Sequence, residues 1–110
     1  MKISELEKKL PVTSLQGEYE DSEIRGAYTS DLLSDVMAHA PDSSVLVTIQ
    51  GHKNTVAVAA LADIKVILLC NNRTPEDGMI AAARDEGIAV FVTPENQFKI
   101  SCLLGAALQE

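Results

Sequence analysis

The sequence predicts an α/β fold, a small and largely parallel sheet with helices on both faces. Three observations predict it. Two short apolar runs, Val45–Ile49 and Lys65–Cys70, lack the polar alternation of a half-exposed strand and read as strands covered on both faces. Both stop abruptly in polar residues, Gln50–Gly51–His52–Lys53–Asn54 and Asn71–Asn72–Arg73–Thr74. Strand-like and helix-like segments then alternate along the chain, the pattern of parallel strands joined by right-handed crossovers. A chain of 110 residues is expected to form one domain, residues 1–110.

The elements follow in order. Ser4–Glu5–Leu6–Glu7 has capping-box spacing, and Ile3, Leu6 and Leu10 share a helical face. These predict a short helix ended by Pro11, with a short strand over Val12–Leu15. The acidic stretch from Gln16 to Glu23 reads as a solvated loop. Ile24–Tyr28 is the next strand, interrupted by Gly26. Ser30 suits an N-cap and Asp31 the positive end of a helix dipole. Leu32, Leu33, Val36, Met37 and Ala40 line one helical face and are expected to be core, and Pro41 closes that helix. After the strand Val45–Ile49, the segment from Asn54 to Ala62 is the economical crossover helix to the parallel strand beginning at Lys65. Thr74 is expected to cap the following helix, with Pro75 its first residue and Asp77 its first-turn acid. Gly87 supplies the left-handed position after that helix. Ala89–Val92 is a further buried strand, and Thr93 or Pro94 opens a last helix.

Composition bounds the function. Hydrophobic residues make up 46% of the chain, with no Trp and 4% aromatics, so the core is aliphatic and rich in Ala. A net charge of -7 leaves no basic stripe to neutralise phosphates, which excludes nonspecific nucleic-acid binding. No apolar run approaches the roughly 18 residues of a membrane span, and the opening Met1–Glu5 has no apolar signal-peptide core. The expected location is the cytoplasm. Cys70 and Cys102 each lie in an apolar run and read as small core residues in a reducing compartment.

The chain lacks G-x-x-x-x-G-K-[ST], G-x-G-x-x-G, C-x-x-C, H-E-x-x-H and G-x-S-x-G. Its two histidines and two separated cysteines do not make a metal spacing. No catalytic set, metal site or cofactor is expected. What remains is a polar constellation at the carboxyl ends of two strands, where open α/β sheets bind ligands. Gln50, Gly51, His52 and Asn54 follow one strand; Asn71, Asn72, Arg73 and Thr74 follow the other. Neighbouring strands would bring these groups to one edge, with Asp31 on the same edge if it opens an adjacent helix. Amides, an imidazole and a guanidinium beside helix N-termini suit a small polar or anionic ligand. The same residues also make turns and caps. Gln50, His52, Asn54, Asn71, Asn72, Arg73, Thr74 and Asp31 are therefore the expected ligand-binding residues.

With these residues in hand, the chain resembles a stand-alone DRTGG domain. The stretches that carry the resemblance are Gly26–Val36, Thr48–Ala59 and Asp85–Ile88, and it extends over nearly all of the chain after Ile24. A literal Asp-Arg-Thr-Gly-Gly is absent, so no role of those residues is carried over. The family is similar to the amino-terminal domain of HPr kinase/phosphorylase, and its members accompany CBS domains and phosphotransacetylases. The resemblance implies the three-layer fold of that domain and a non-catalytic sensing or assembly role. The expectation is a regulatory or ligand-sensing module that works as a homodimer and binds a small molecule or a partner enzyme. A purely structural adaptor, or a small enzyme using His52, are the alternatives. The homodimer is expected because Asn54–Ala62 and Ile100–Leu108 are apolar nearly all round, more than a helix on a small sheet buries.

Overall fold

The computed structural model describes residues 1–110 as a five-stranded sheet between two layers of helices. The chain opens with a 3-10 turn, Ile3–Glu5, and α1, Leu6–Lys9. It continues through β1, Thr13–Gln16; β2, Gly26–Thr29; α2, Leu33–His39; β3, Ser44–Thr48; and α3, Lys53–Leu61. It ends with β4, Val66–Leu69; α4, Met79–Glu86; β5, Ala89–Val92; and α5, Gln97–Leu108. The strand order is β1-β5-β4-β3-β2. The four strands β2 to β5 are parallel in register, Val45 opposite Val66 and Val66 opposite Ala89, and β1 runs antiparallel to β5.

This order fixes the layers. From β2 to β5 the chain steps one strand at a time in a single direction, so same-handed crossovers lay α2, α3 and α4 on one face. Leu46, Ile67, Leu69 and Val90 bury against Val36, Val56, Ala59, Met79 and Ala83 there. The alternate residues Val45, Val47, Val66, Leu68 and Phe91 point the other way, toward Ile3, Leu6, Ile100 and Leu104 of the amino-terminal segment and α5. Two-sided burial is why β3 and β4 carry no polar alternation.

Several local expectations are corrected. Thr74 caps no helix: α4 begins at Met79, preceded by Gly78 at φ 88°. A residue in that left-handed conformation cannot continue a helix running from Pro75. The α2 helix begins at Leu33 and not at Ser30, whose hydroxyl instead accepts from the Leu32 amide at 3.2 Å. Of the residues expected to be its core face, only Val36 is fully buried; Leu32, which precedes the helix, is 64% and Met37 42% exposed. The Ser4–Glu7 box does not form. The Glu5 carboxylate accepts from the Lys2 amide at 2.7 Å, and Ser4 donates from both amide and hydroxyl to Asp21. The acidic stretch thus ties down the amino-terminal segment. Gln16, expected to open that loop, is the last residue of β1 and is buried. The last helix starts later than expected, with Asn96 as N-cap, its side chain accepting from the Lys99 amide. Cys102 is exposed and only Cys70 is core. No helix is long and apolar enough to cross a membrane.

The chain's apolar α3 has a partner on three sides. The sheet takes Thr55, Val56 and Ala59, and α2 and α4 flank it. Its apolar circumference is therefore partly spent within the fold, and Leu61 is left 76% exposed. On α5, Ile100, Leu104 and Ala107 face the sheet, whereas Phe98 is 80% exposed and Cys102, Gly105 and Ala106 are also exposed.

Candidate functional site

The carboxyl ends of β3 and β4 are neighbours, Thr48 opposite Leu69, so the two polar loops emerge side by side. After β3 the chain turns through Gln50 and Gly51 into α3, with His52 as an extended N-cap. The Thr55 hydroxyl donates to the Gln50 carbonyl at 2.8 Å and so closes that turn. After β4, Asn71 and Asn72 both adopt left-handed φ, 57° and 53°. Asparagine tolerates that conformation better than most residues. The two turns reverse the chain at once, and the Asn71 and Asn72 amides donate to the carbonyls of Glu95 and Thr93. The loop after β4 is thereby fixed to the loop after β5.

The loops after β3 and β4 are joined to each other as well. The Glu76 amide donates to the Gly51 carbonyl at 2.8 Å, and the Glu76 carboxylate meets His52 Nδ1. Gly51 is buried here, and a Cβ on it would lie 3.4 Å from Pro75 Cα and 3.5 Å from the Thr74 carbonyl oxygen. Between the loops lies a cleft of about 210 Å³ lined by Ile49, Gln50, Gly51, His52, Arg73, Thr74 and Glu76.

Gln50, His52, Arg73 and Thr74 of the expected set thus share this cleft. Asn54, Asn71, Asn72 and Asp31 do not line it. Asn54 is the second residue of α3 and is exposed. Asn71 and Asn72 shape the turn that delivers Arg73. Asp31 has no place at a helix start. Its Oδ1 accepts from the Thr48 hydroxyl, the Ile49 amide and the Gln97 side-chain amide, each at 2.9 Å. Its main-chain carbonyl accepts from Gln50 Nε2 at 3.1 Å. It therefore sets Gln50 and ties β2, β3 and α5 together at this edge.

Ile49 and Glu76 went unforeseen. Glu76 was hidden because the sequence around Pro75 imitates a helix start, which would have turned residue 76 into an ordinary first-turn acid. A nucleophilic Cys70 is not supported. The residue is fully buried, and burial, then the negative charge of Asp31, pushes its thiol up to about 11. The thiolate that attacks is thus scarce at neutral pH. No group of His, Cys, Asp and Glu is arranged to hold a metal ion.

No family model matches the chain, and no curated protein does. A solved structure does match: the CBS and DRTGG domains of the regulatory region of Clostridium perfringens pyrophosphatase, complexed with its activator diadenosine tetraphosphate. The TM-score is 0.70 at 12% identity, over 93% of this chain and 45% of that one. The likeness is one of fold. It falls on a regulatory region that contains the domain type the sequence resembles, and this chain spans less than half of that region's length.

Proposed function

We propose that this chain is a DRTGG-type regulatory module, related in fold to the amino-terminal domain of HPr kinase/phosphorylase. In this reading it binds a small polar or anionic ligand, without catalysing a reaction, in the cleft between the β3–α3 and β4–α4 loops. The observation that carries the reading is the cleft itself. It gathers Gln50, His52, Arg73 and Thr74, groups of differing hydrogen-bonding capacity, at the carboxyl edge of a parallel sheet. The fold likeness to the regulatory region of an enzyme whose structure holds a nucleotide activator adds support. The non-catalytic part of the reading starts from the sequence, which carries no phosphate-loop motif. The module acts in the cytoplasm as a homodimer, and its output is a change in a partner enzyme.

A thermal-shift screen against nucleotides, diadenosine tetraphosphate included, and acyl phosphates tests the reading. A binder is expected to raise the melting temperature of the chain and to lose that effect in His52→Ala. Arg73→Ala is expected to act in the same direction. A loop residue costs the fold little, so both variants should melt within a few degrees of the parent. A binder whose effect survives both substitutions would place the site elsewhere. A structural adaptor remains the second reading, favoured by the exposed Leu32, Leu61 and Phe98; it predicts no binder in the screen.

A further inference from the structure

The sheet has two outer edges, and they are finished differently. At the β1 edge the Glu7 carboxylate takes the Ser14 amide at 3.2 Å, and the strand is bulged between Ser14 and Gln16. Such features keep a sheet edge from pairing with another chain. The β2 edge has neither. Its register with β3 is continuous, and the Ser30 amide beyond it donates to the Val47 carbonyl. Main-chain groups alternate sides along a strand, so Gly26 and Tyr28 also turn toward β3. Ala27 and Thr29 then turn their amides and carbonyls to the open edge, where no group of the chain meets them. Both residues are exposed, and β2 contains no charged residue and no Pro.

Beside that edge, on the face that holds α5, runs an open groove of about 460 Å³ lined by Ala27, Thr29, Ser101, Leu104, Gly105 and Leu108 among others. Its lining includes Arg25 and no carboxylate, on a chain with 16 Asp and Glu. Two copies of net charge -7 can therefore approach here without opposing acids. Phe98, 80% exposed, lies seven residues before Gly105 and so on the same flank of α5. Gly105 itself faces open space, with nothing within 4 Å of an added Cβ.

We propose that a second copy of this chain pairs its β2 antiparallel to this β2, about a twofold axis through Tyr28. This rests on the homodimer reading above and specifies its interface. Ala27 then stands opposite Thr29 of the second copy, and their outward groups exchange four hydrogen bonds across the axis. Two sheets of five strands become one of ten. Because α5 packs over β2 and β3, the two α5 helices come to lie about 10 Å apart, two strand spacings and an ordinary distance for packed helices. They run antiparallel, so Phe98 of each copy reaches the end of the other's groove where Leu108 stands. The sheet edge is a face at least 26 Å across in each direction, room for the roughly 800 Å² per partner that a stable interface buries.

The test combines sedimentation of the full-length chain with cross-linking. Ala27→Pro removes an outward donor and no hydrogen bond inside the chain, and Pro is tolerated on an edge strand. It should weaken the dimer about ten-fold or more while the far-ultraviolet circular dichroism stays that of the parent. Cysteine pairs check the register without relying on that fold. In a Cys102→Ser background, which removes the exposed thiol, Ala27→Cys and Thr29→Cys chains are co-expressed and mildly oxidised. A disulfide-linked dimer is expected from the mixture, whose paired Cα atoms are about 5.5 Å apart. Neither variant alone should link, because like positions lie beyond the roughly 7 Å that a disulfide spans. A dimer unweakened by Ala27→Pro, or a mixture that does not link, would overturn the β2 edge and leave the homodimer to another surface. A parent chain that sediments as a monomer would overturn both, and the ligand cleft would stand in either case.

Discussion

Replacing Asp31 by Ala leaves the Ile49 amide, the Thr48 hydroxyl and the Gln97 amide without their shared acceptor. Thr48 is fully buried, so its hydroxyl gains no compensating water. Lost bonds to a charged acceptor cost about 1–3 kcal/mol in such settings. Asp31→Ala is therefore expected to lower the melting temperature by several degrees in circular dichroism, while Asp31→Asn keeps one carbonyl acceptor and costs less. A parent-like melt for Asp31→Ala would mean the knot is not holding the edge. Glu5 and Asp21 make a second residue-scale case. The Lys2 amide holds Glu5 below its ordinary 4.5, and the Ser4 hydroxyl, then the Ser4 amide, holds Asp21 below 3.8. Carboxyls lowered in the folded chain stabilise it fully above their ordinary values and lose that contribution as pH falls through the lowered ones. The amino-terminal segment should loosen below about pH 4, seen as a fall in hydrogen-exchange protection, relative to the intrinsic rate at each pH, at the Lys2 and Ser4 amides. Unchanged protection there down to about pH 2 would contradict it.

At the scale of elements, two glycines separate backbone demand from chance. Gly78 sits at φ 88°, and a Cβ there would lie 3.1 Å from Lys53 Cδ. Gly105, inside α5, has nothing within 4 Å of the same added atom and an ordinary helical backbone. Gly78→Ala is expected to destabilise by about 1 kcal/mol or more, since the left-handed conformation is strained for any residue with a Cβ. Gly105→Ala is expected to stabilise by up to about 1 kcal/mol through helix propensity. Urea unfolding of the two variants should move the midpoint in opposite directions. A Gly78→Ala variant as stable as the parent would argue that α4 can start earlier, as its Thr-Pro sequence suggests. The contrast also shows why that helix start was misread. Thr74–Pro75 has the right residues for a cap, but the Gly51 carbonyl takes the Glu76 amide and the loop is drawn onto α3 before the helix can begin.

For the molecule as a whole, the proposed homodimer rests on the apolar residues that α3 and α5 leave exposed. The sheet, α2 and α4 flank α3 and cover Val56 and Ala59, but Leu61 stays 76% exposed. The outer side of α5 offers more, with Phe98 80% exposed and Cys102, Gly105 and Ala106 also exposed. Light scattering at micromolar concentration should report twice the 11.8 kDa chain mass, and Phe98→Glu should return it to the single value without unfolding it. A parent chain that scatters as a monomer would remove the dimer, and a dimer indifferent to Phe98→Glu would move its interface off α5.

Much of this architecture was legible in the chain. The runs at Val45–Ile49 and Lys65–Cys70 read as strands buried on both faces, and their spacing around helical segments implies a largely parallel sheet, because apolar burial and crossover length act locally. Gly87 also ended α4 as expected, at φ 67°. The polar groups at both strand ends could be picked out for the same reason, and the direct pairing of β3 with β4 made Gln50, His52, Arg73 and Thr74 neighbours. Contacts between elements distant in sequence decided the rest. Asp31 looked like a helix-opening acid until β3 and α5 arrived with three donors for one oxygen. Glu76 looked helical until Gly51 captured its amide. The α3 helix looked apolar nearly all round until α2 and α4 covered two of its sides and left Leu61 exposed. A side chain's propensity is written in its own sequence, but its hydrogen-bond partner and its covering surface come from segments tens of residues away, and only the folded chain brings them together.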